Sequence, residues 1–260
     1  LQVPDPPQPI VSASGLAELS QSGRWLFVLE VEWEPGCEGD SLACDRHSLA
    51  VFDLNNLAEM GHAQLPPACG PTLLNSDGAD GVIGICSSSG TLFEVTPDLH
   101  VETLTQFMAD AVDPDGSFNF RYPYPVDAGR AGDDSYYRVL QTGAFVVQRA
   151  DGTRVAEGDV APQSGVLAVF EGHRGQTALF SLWSPSSGSG VGAVAFDPLR
   201  PDAAATLAAP ASNRGLYLRA DGGLIALVAG DLVEVDPLTG EVGEVVVDLG
   251  GEARFLQGGG

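Results

Sequence analysis

The sequence predicts an all-β fold made of five successive small antiparallel sheets. Three observations carry that prediction. Short apolar runs that alternate with polar residues recur along the whole chain, the period of half-buried strands. Turn formers are dense, with 33 glycines and 18 prolines among 260 residues. Apolar spacing at 3.6 residues never lasts more than a turn or two, so almost no helix is expected.

The clearest unit is Leu232-Val233-Glu234-Val235-Asp236-Pro237-Leu238-Thr239-Gly240-Glu241-Val242. Val233 and Val235 alternate with Glu234 and Asp236. Pro237 fixes φ at a turn position, and Gly240 supplies the positive φ that ends such a hairpin. Val245, Val246 and Val247 form a β-branched return strand. Weaker copies lie upstream at Phe52-Asp53-Leu54-Asn55-Asn56, Val95-Thr96-Pro97-Asp98, Val147 to Gly152 and Phe196-Asp197-Pro198-Leu199-Arg200. Counted from Phe52 through Val95, Val147, Phe196 and Val235, they are spaced by 43, 52, 49 and 39 residues.

Periods of roughly 40 to 50 residues with several strands each are the mark of propeller blades. Each period is too long for one hairpin and suits a sheet of three or four strands. The prediction is a five-bladed β-propeller, with a six-bladed propeller or a β-sandwich as alternatives. A Pro-rich tether covers residues 1–11 and one propeller domain covers 12–257. The blades are placed at about 12–65, 69–107, 108–162, 163–210 and 211–249, followed by a Gly tail at 258–260. Ring closure falls either to Ile10-Val11 or to Ala253-Arg254-Phe255-Leu256.

The hairpin Val235-Asp236-Pro237-Leu238-Thr239-Gly240 resembles those of β-propeller repeat families, most nearly the quinoprotein-like and surface-layer-type propellers. As architecture the resemblance covers nearly the whole chain; as a motif it is specific in the last unit. It implies a propeller scaffold. Trp-Asp blade-closing dipeptides and the tryptophan docking motifs of quinoproteins are absent. A metal- or quinone-assisted redox protein is therefore the weakest of the readings the resemblance offers.

In the first unit, Leu16, Leu19, Trp25, Phe27 and Leu29 are the core candidates. Its polar insertion, residues 34–46, holds Cys37 and Cys44. The second unit has a turn at Asn75-Ser76-Asp77-Gly78-Ala79-Asp80-Gly81, whose Asp77 and Asp80 serve the turn backbone sooner than a metal. The third unit departs most from the pattern. Asp113-Pro114-Asp115-Gly116-Ser117 partly matches the opening of a calcium loop but lacks its later acidic ligands. Asp113 and Asp115 are the candidate metal ligands, and calcium is the one cofactor considered. Arg121, Tyr122, Tyr124, Asp133, Asp134 and Tyr136 form the densest group of aromatic, arginine and carboxylate residues. Aromatic faces beside carboxylates and a guanidinium suit a sugar or a cationic peptide, so these six are the candidate ligand site. In the fourth unit, His173-Arg174 is read as part of a loop and Ser184 to Gly190 as a flexible Ser/Gly segment. The fifth unit shows no chemistry.

Twelve arginines, no lysine and 35 carboxylates give a net charge of −23. Such a surface repels nucleic acid and anionic membranes. It favours cationic partners, metal ions or simply solubility, and a solvated acidic surface is the leading reading. The four cysteines, Cys37, Cys44, Cys69 and Cys86, include no C-x-x-C pair. Their spacing suggests Cys37–Cys44 and Cys69–Cys86 among the three connectivities, and an oxidising compartment. No signal peptide or membrane span is visible. The Pro-rich start is read as the remainder of an exported chain whose signal or lipid-anchored linker was removed.

G-x-S-x-G, H-E-x-x-H, Walker and Rossmann motifs are missing. His47, His62, His100 and His173 lie in different units and are not expected to converge. The leading functional reading is an extracytoplasmic, non-enzymatic module that presents loops to a protein or glycan partner. The alternative is a carbohydrate-active enzyme like the five-bladed glycoside hydrolases. That reading would use paired carboxylates drawn from Asp113, Asp115, Asp133, Asp134 and Glu171.

Overall fold

The fold is seen in a computed structural model, which describes residues 10–33, 45–66, 69–86, 89–107, 124–132, 134–160, 165–174, 177–187, 189–201, 205–207, 216–218, 224–228, 231–235 and 242–248. The described residues form five four-stranded sheets and no α-helix. None of them forms a helix long and apolar enough to cross a membrane.

Every sheet is an antiparallel meander with its strands in chain order. The first holds β1 (Ile10–Leu19), β2 (Trp25–Trp33), β3 (Asp45–Asp53) and β4 (Ala58–Gln64). The second holds β5 (Pro71–Ser76), β6 (Val82–Cys86), β7 (Thr91–Val95) and β8 (Val101–Gln106). The third holds β9 (Pro125–Arg130), β10 (Ser135–Leu140), β11 (Ala144–Arg149) and β12 (Arg154–Asp159). The fourth holds β13 (Leu167–Arg174), β14 (Thr177–Ser184), β15 (Ser189–Phe196) and β16 (Ala205–Leu207). The fifth holds β17 (Leu216–Leu218), β18 (Leu224–Val228), β19 (Asp231–Val235) and β20 (Val242–Asp248). Five such meanders in succession are the blades of the predicted five-bladed propeller class.

The chain divides into two compact units, one of residues 1–129 with 150–152 and one of residues 130–149 with 153–260. In the first unit β1 runs beside β5, and in the second β13 runs beside β17. Within each unit the first strand of one sheet thus faces the first strand of the next, as in blades whose innermost strand comes first.

The core of the first unit follows from the alternation of β2. Trp25, Phe27 and Leu29 are buried while Leu26, Val28 and Glu30 are only half-buried. The buried set packs with Leu49 and Val51 of β3 and with Leu74, Val82, Phe93 and Val95 of the second sheet. β6 is buried at all five positions, which explains its unbroken apolar run. Gly84 on β6 is required by packing, because a Cβ there would lie 2.3 Å from Phe93 Cζ. Cys69 and Cys86 form the predicted disulfide inside this core, where it joins the approach to β5 to the end of β6. Cys37 and Cys44 lie outside the described residues.

Two expectations change. Leu19 is 48% exposed and not core, because it pairs with half-buried Leu26 on the face opposite Phe27. Ile10 and Val11 are the first residues of β1, opposite Trp33 and Glu32. The closing segment 253–256 and the turn 236–241 of the clearest hairpin lie outside the described residues.

In the second unit Phe196 meets Tyr137 and Phe145, with ring centroids 6.0 and 4.8 Å apart. Val139, Ala178, Leu179 and Phe180 are fully buried around them. In the fifth sheet Val233 is buried while Val245 and Val246 of β20 stand exposed.

Candidate functional site

Hairpin turns gather the polar residues of both units, and the two groups differ in character. In the first unit they fasten the turns themselves. Arg24 donates from Nη2 to Asp53 Oδ2 at 2.8 Å and lies 4.3 Å over the Trp25 ring. Asp53 Oδ1 also accepts the Asn55 amide at 3.0 Å. The Arg24 hydrogen bond holds the Asp53 carboxyl below the usual carboxylate range, against the opposing effect of burial. Asp77 caps its own turn, accepting the amides of Ala79 at 2.6 Å and Gly81 at 3.1 Å, as the sequence predicts. Asp80 accepts the Ser22 hydroxyl, which ties the β5–β6 turn to the β1–β2 turn. Asp98 accepts the Thr96 hydroxyl, and that bond lowers its carboxyl in the same way. These carboxylates are turn staples.

In the second unit, aromatic and imidazole groups on β10 and β13 meet one another. Tyr137 of β10 and His173 of β13 share a hydrogen bond, Oη to Nε2, of 2.9 Å. The Phe170 ring lies 4.8 Å from the His173 ring and 5.8 Å from Phe180. Ser181 donates its hydroxyl to Glu171. Arg130 lies 5.6 Å over the Tyr136 ring and donates from Nη1 to its hydroxyl at 3.4 Å. The β9–β10 turn meets the turn after β15, since a Cβ on Gly132 would lie 3.2 Å from Leu199 Cδ2. Asp197 there accepts the Leu199 amide at 3.0 Å and Arg200 Nε at 2.9 Å. Leu199 is 53% exposed and Asp134 is exposed. The third and fourth sheets therefore carry a buried phenol bonded to a half-buried imidazole, a phenylalanine beside that ring, and an open leucine and an open carboxylate at their turns.

The sequence-predicted ligand residues have the following places. Asp134 and Tyr136 both belong to this turn region, with Tyr136 buried under Arg130. Tyr124 stands half-exposed just before β9 in the first unit. Arg121, Tyr122 and Asp133 lie outside the described residues, as do the candidate metal ligands Asp113 and Asp115. Among the described residues no group of three His, Cys, Asp or Glu side chains is set to hold a metal ion. Of the histidines, His62 meets Glu30 and Glu59.

His173 was expected in a loop and lies instead within β13. The reason is a bulge. Phe170 pairs with Phe180 and Gly172 with Leu179, so Glu171 is the extra residue. The bulge places Phe170 and His173, three apart, on one face. A strict period of two would put them on opposite faces, so the alternation rule could not find this pair.

No protein-family model matches the chain, and no curated protein does. Among solved structures the chain is similar to the C-terminal WD40 domain of Sif2, at 13% identity and a TM-score of 0.45 over 81% of this chain and 65% of that one. It is also similar to BamB from Moraxella catarrhalis, at 16% identity and a TM-score of 0.42 over 91% of this chain and 65% of that one. A third is virginiamycin B lyase from Staphylococcus aureus, at 11% identity and a TM-score of 0.42 over 90% of this chain and 73% of that one. The chain thus spans just under two thirds of the length of the first two.

Proposed function

We propose that the protein is an extracytoplasmic, non-enzymatic binding module that holds a basic segment of a protein partner. The supporting observation is the turn region of the third and fourth sheets. There Asp134 and Leu199 stand open at the turns, and the same two sheets carry the Tyr137–His173 pair and Phe170. An open carboxylate and an open apolar side chain on a rigid sheet scaffold suit a segment carrying arginine or lysine next to an apolar residue. The net charge of −23 without a lysine steers such a segment in and steers anionic partners away. The buried Cys69–Cys86 disulfide supports an oxidising compartment.

The test is a melting-midpoint panel on the oxidised protein, because a ligand that binds the native state raises the midpoint by mass action. The panel contains arginine-rich peptides with and without leucine, neutral oligosaccharides, and calcium with and without chelator. The expected result is a rise with the basic apolar peptides that fades with salt and is lost in Asp134→Asn and Leu199→Ala. A rise with oligosaccharides alone would sink the peptide reading in favour of the glycan one and call for a hydrolysis assay. A rise with calcium alone would move attention to Asp113 and Asp115.

A further inference from the structure

Sheet 1 carries a three-part charge cluster that the binding reading does not use. On β4, His62 points one ring nitrogen at each of two carboxylates: Nδ1 lies 3.0 Å from Glu30 Oε2 and Nε2 lies 2.9 Å from Glu59 Oε1. Register explains how they meet. His62 pairs with Ala50 of β3, and Ala50 pairs with Val28 of β2, so His62 and Val28 share a face. Glu30, two residues from Val28, lies on that face too. The imidazole reaches Glu30 diagonally across β3, over Ala50, which is 1% exposed. A larger residue at position 50 would stand in the way.

β4 is the edge strand of its sheet. Its ladder to β3 shifts register between Val51 and Phe52, which leaves Met60 as the extra residue. Met60 is 47% exposed and contributes little packing. The Glu30–His62 contact is thus a side-chain tie from β4 to β2, past the bulged ladder.

A neutral imidazole has one N–H and one lone pair, and only imidazolium donates from both nitrogens. Both contacts together therefore require the proton. The other charged groups of this face are Glu32 on β2 and Arg46 on β3. They sit opposite each other one pair beyond Glu30 and Ser48. We propose that His62, held between Glu30 and Glu59, is a proton-operated latch that fastens edge strand β4 to its sheet in mildly acidic solution and releases it as pH rises.

The sign follows from which form the clamp binds. The protonated imidazole is the clamped one, so the tie is complete while the ring carries both protons. It is lost when rising pH removes one of them, because one nitrogen then turns a lone pair toward a carboxylate.

The test is amide exchange of residues 58–64, corrected for the intrinsic pH dependence of exchange, at pH 5.5 and 7.5. In the unmodified protein β4 protection should fall about two- to fivefold between the two pH values relative to β2, the size of an exposed ion pair. In His62→Gln and Glu30→Gln it should be low at both. Constant protection in the unmodified protein, or an equal fall in His62→Gln, would overturn the latch. If the variants fail to fold, a proton NMR titration of the unmodified protein decides. A midpoint shared by the His62 ring and the β4 amides supports the latch, and β4 amides that ignore the ring's titration refute it.

Discussion

The β3–β4 turn and the β7–β8 turn place a leucine in the same rare backbone conformation and treat it in opposite ways. Leu57 has φ 56° and Leu99 has φ 69°, the left-handed region that glycine occupies cheaply and leucine does not. Leu99 turns back onto the core of the first unit and lies over Gly61, where a Cβ would come within 2.9 Å of Leu99 Cδ1. Its burial offsets its backbone cost. Leu57 is 83% exposed, and no apolar contact offsets the same cost. The turns thus separate local geometry from its energetic support. Caps shape the first turn through the Asp53–Asn55 and Asn56–Ala58 bonds, whereas the second turn is also held by packing.

The two sheets differ in their other anchors as well, and the largest expected effect lies there. Sheet 2 has a covalent tie, Cys69–Cys86, across 17 residues. Replacing both cysteines with alanine should lower stability by about 3 kcal/mol on the chain-entropy account. Chemical denaturation with and without reductant would measure it. A loss no larger than that of an ordinary surface substitution would mean that core packing alone holds sheet 2.

The leucines come next. Leu99→Ala should cost about 1–2 kcal/mol, less than a fully buried leucine because Leu99 is only partly covered. Leu57→Ala should change stability by less than about 0.5 kcal/mol. Equal losses at the two positions would erase the contrast. Glycine sharpens it further. Leu57→Gly removes a left-handed cost of about 1–2 kcal/mol and returns part of it as extra freedom of the unfolded chain. A net gain of about 0.5–1 kcal/mol is expected, while Leu99→Gly should still lose. Urea midpoints of the four variants would rank them.

Much of this contrast was legible in the sequence only as punctuation. Phe52-Asp53 and Val95-Thr96-Pro97-Asp98 mark the two hairpins, because alternation and turn residues are local signals. The five meanders follow from that punctuation repeated. What the turns do with their leucines depends on which residues fold back above them, and Gly61 meets Leu99 only across two sheets. The candidate site shows the same limit. Local density of residue types singles out Asp134 and Tyr136. His173 is not singled out, because the bulge at Glu171 reverses the face on which period two would place it. The Glu30–His62 contact spans a strand and needs the register of β2, β3 and β4 before it can be seen at all.

The smallest effect concerns how sheet 1 secures the turn that lacks a packed leucine. Asp53, 4% exposed, accepts from Arg24 and from the Asn55 amide, and the Arg24 bond lowers its carboxyl below the usual range. A carboxyl depressed on folding adds stability that is present above its unfolded titration near pH 4 and is lost as pH falls through its lower folded value. The acid limb of a stability–pH curve should therefore flatten in Asp53→Asn. Denaturant midpoints from pH 2 to 6 would show it. If Asp53→Asn keeps the full acid slope, the Arg24 contact is a surface pairing with no hold on the turn. Leu57 would then stand on a turn secured by the Asn55 and Ala58 amide bonds alone.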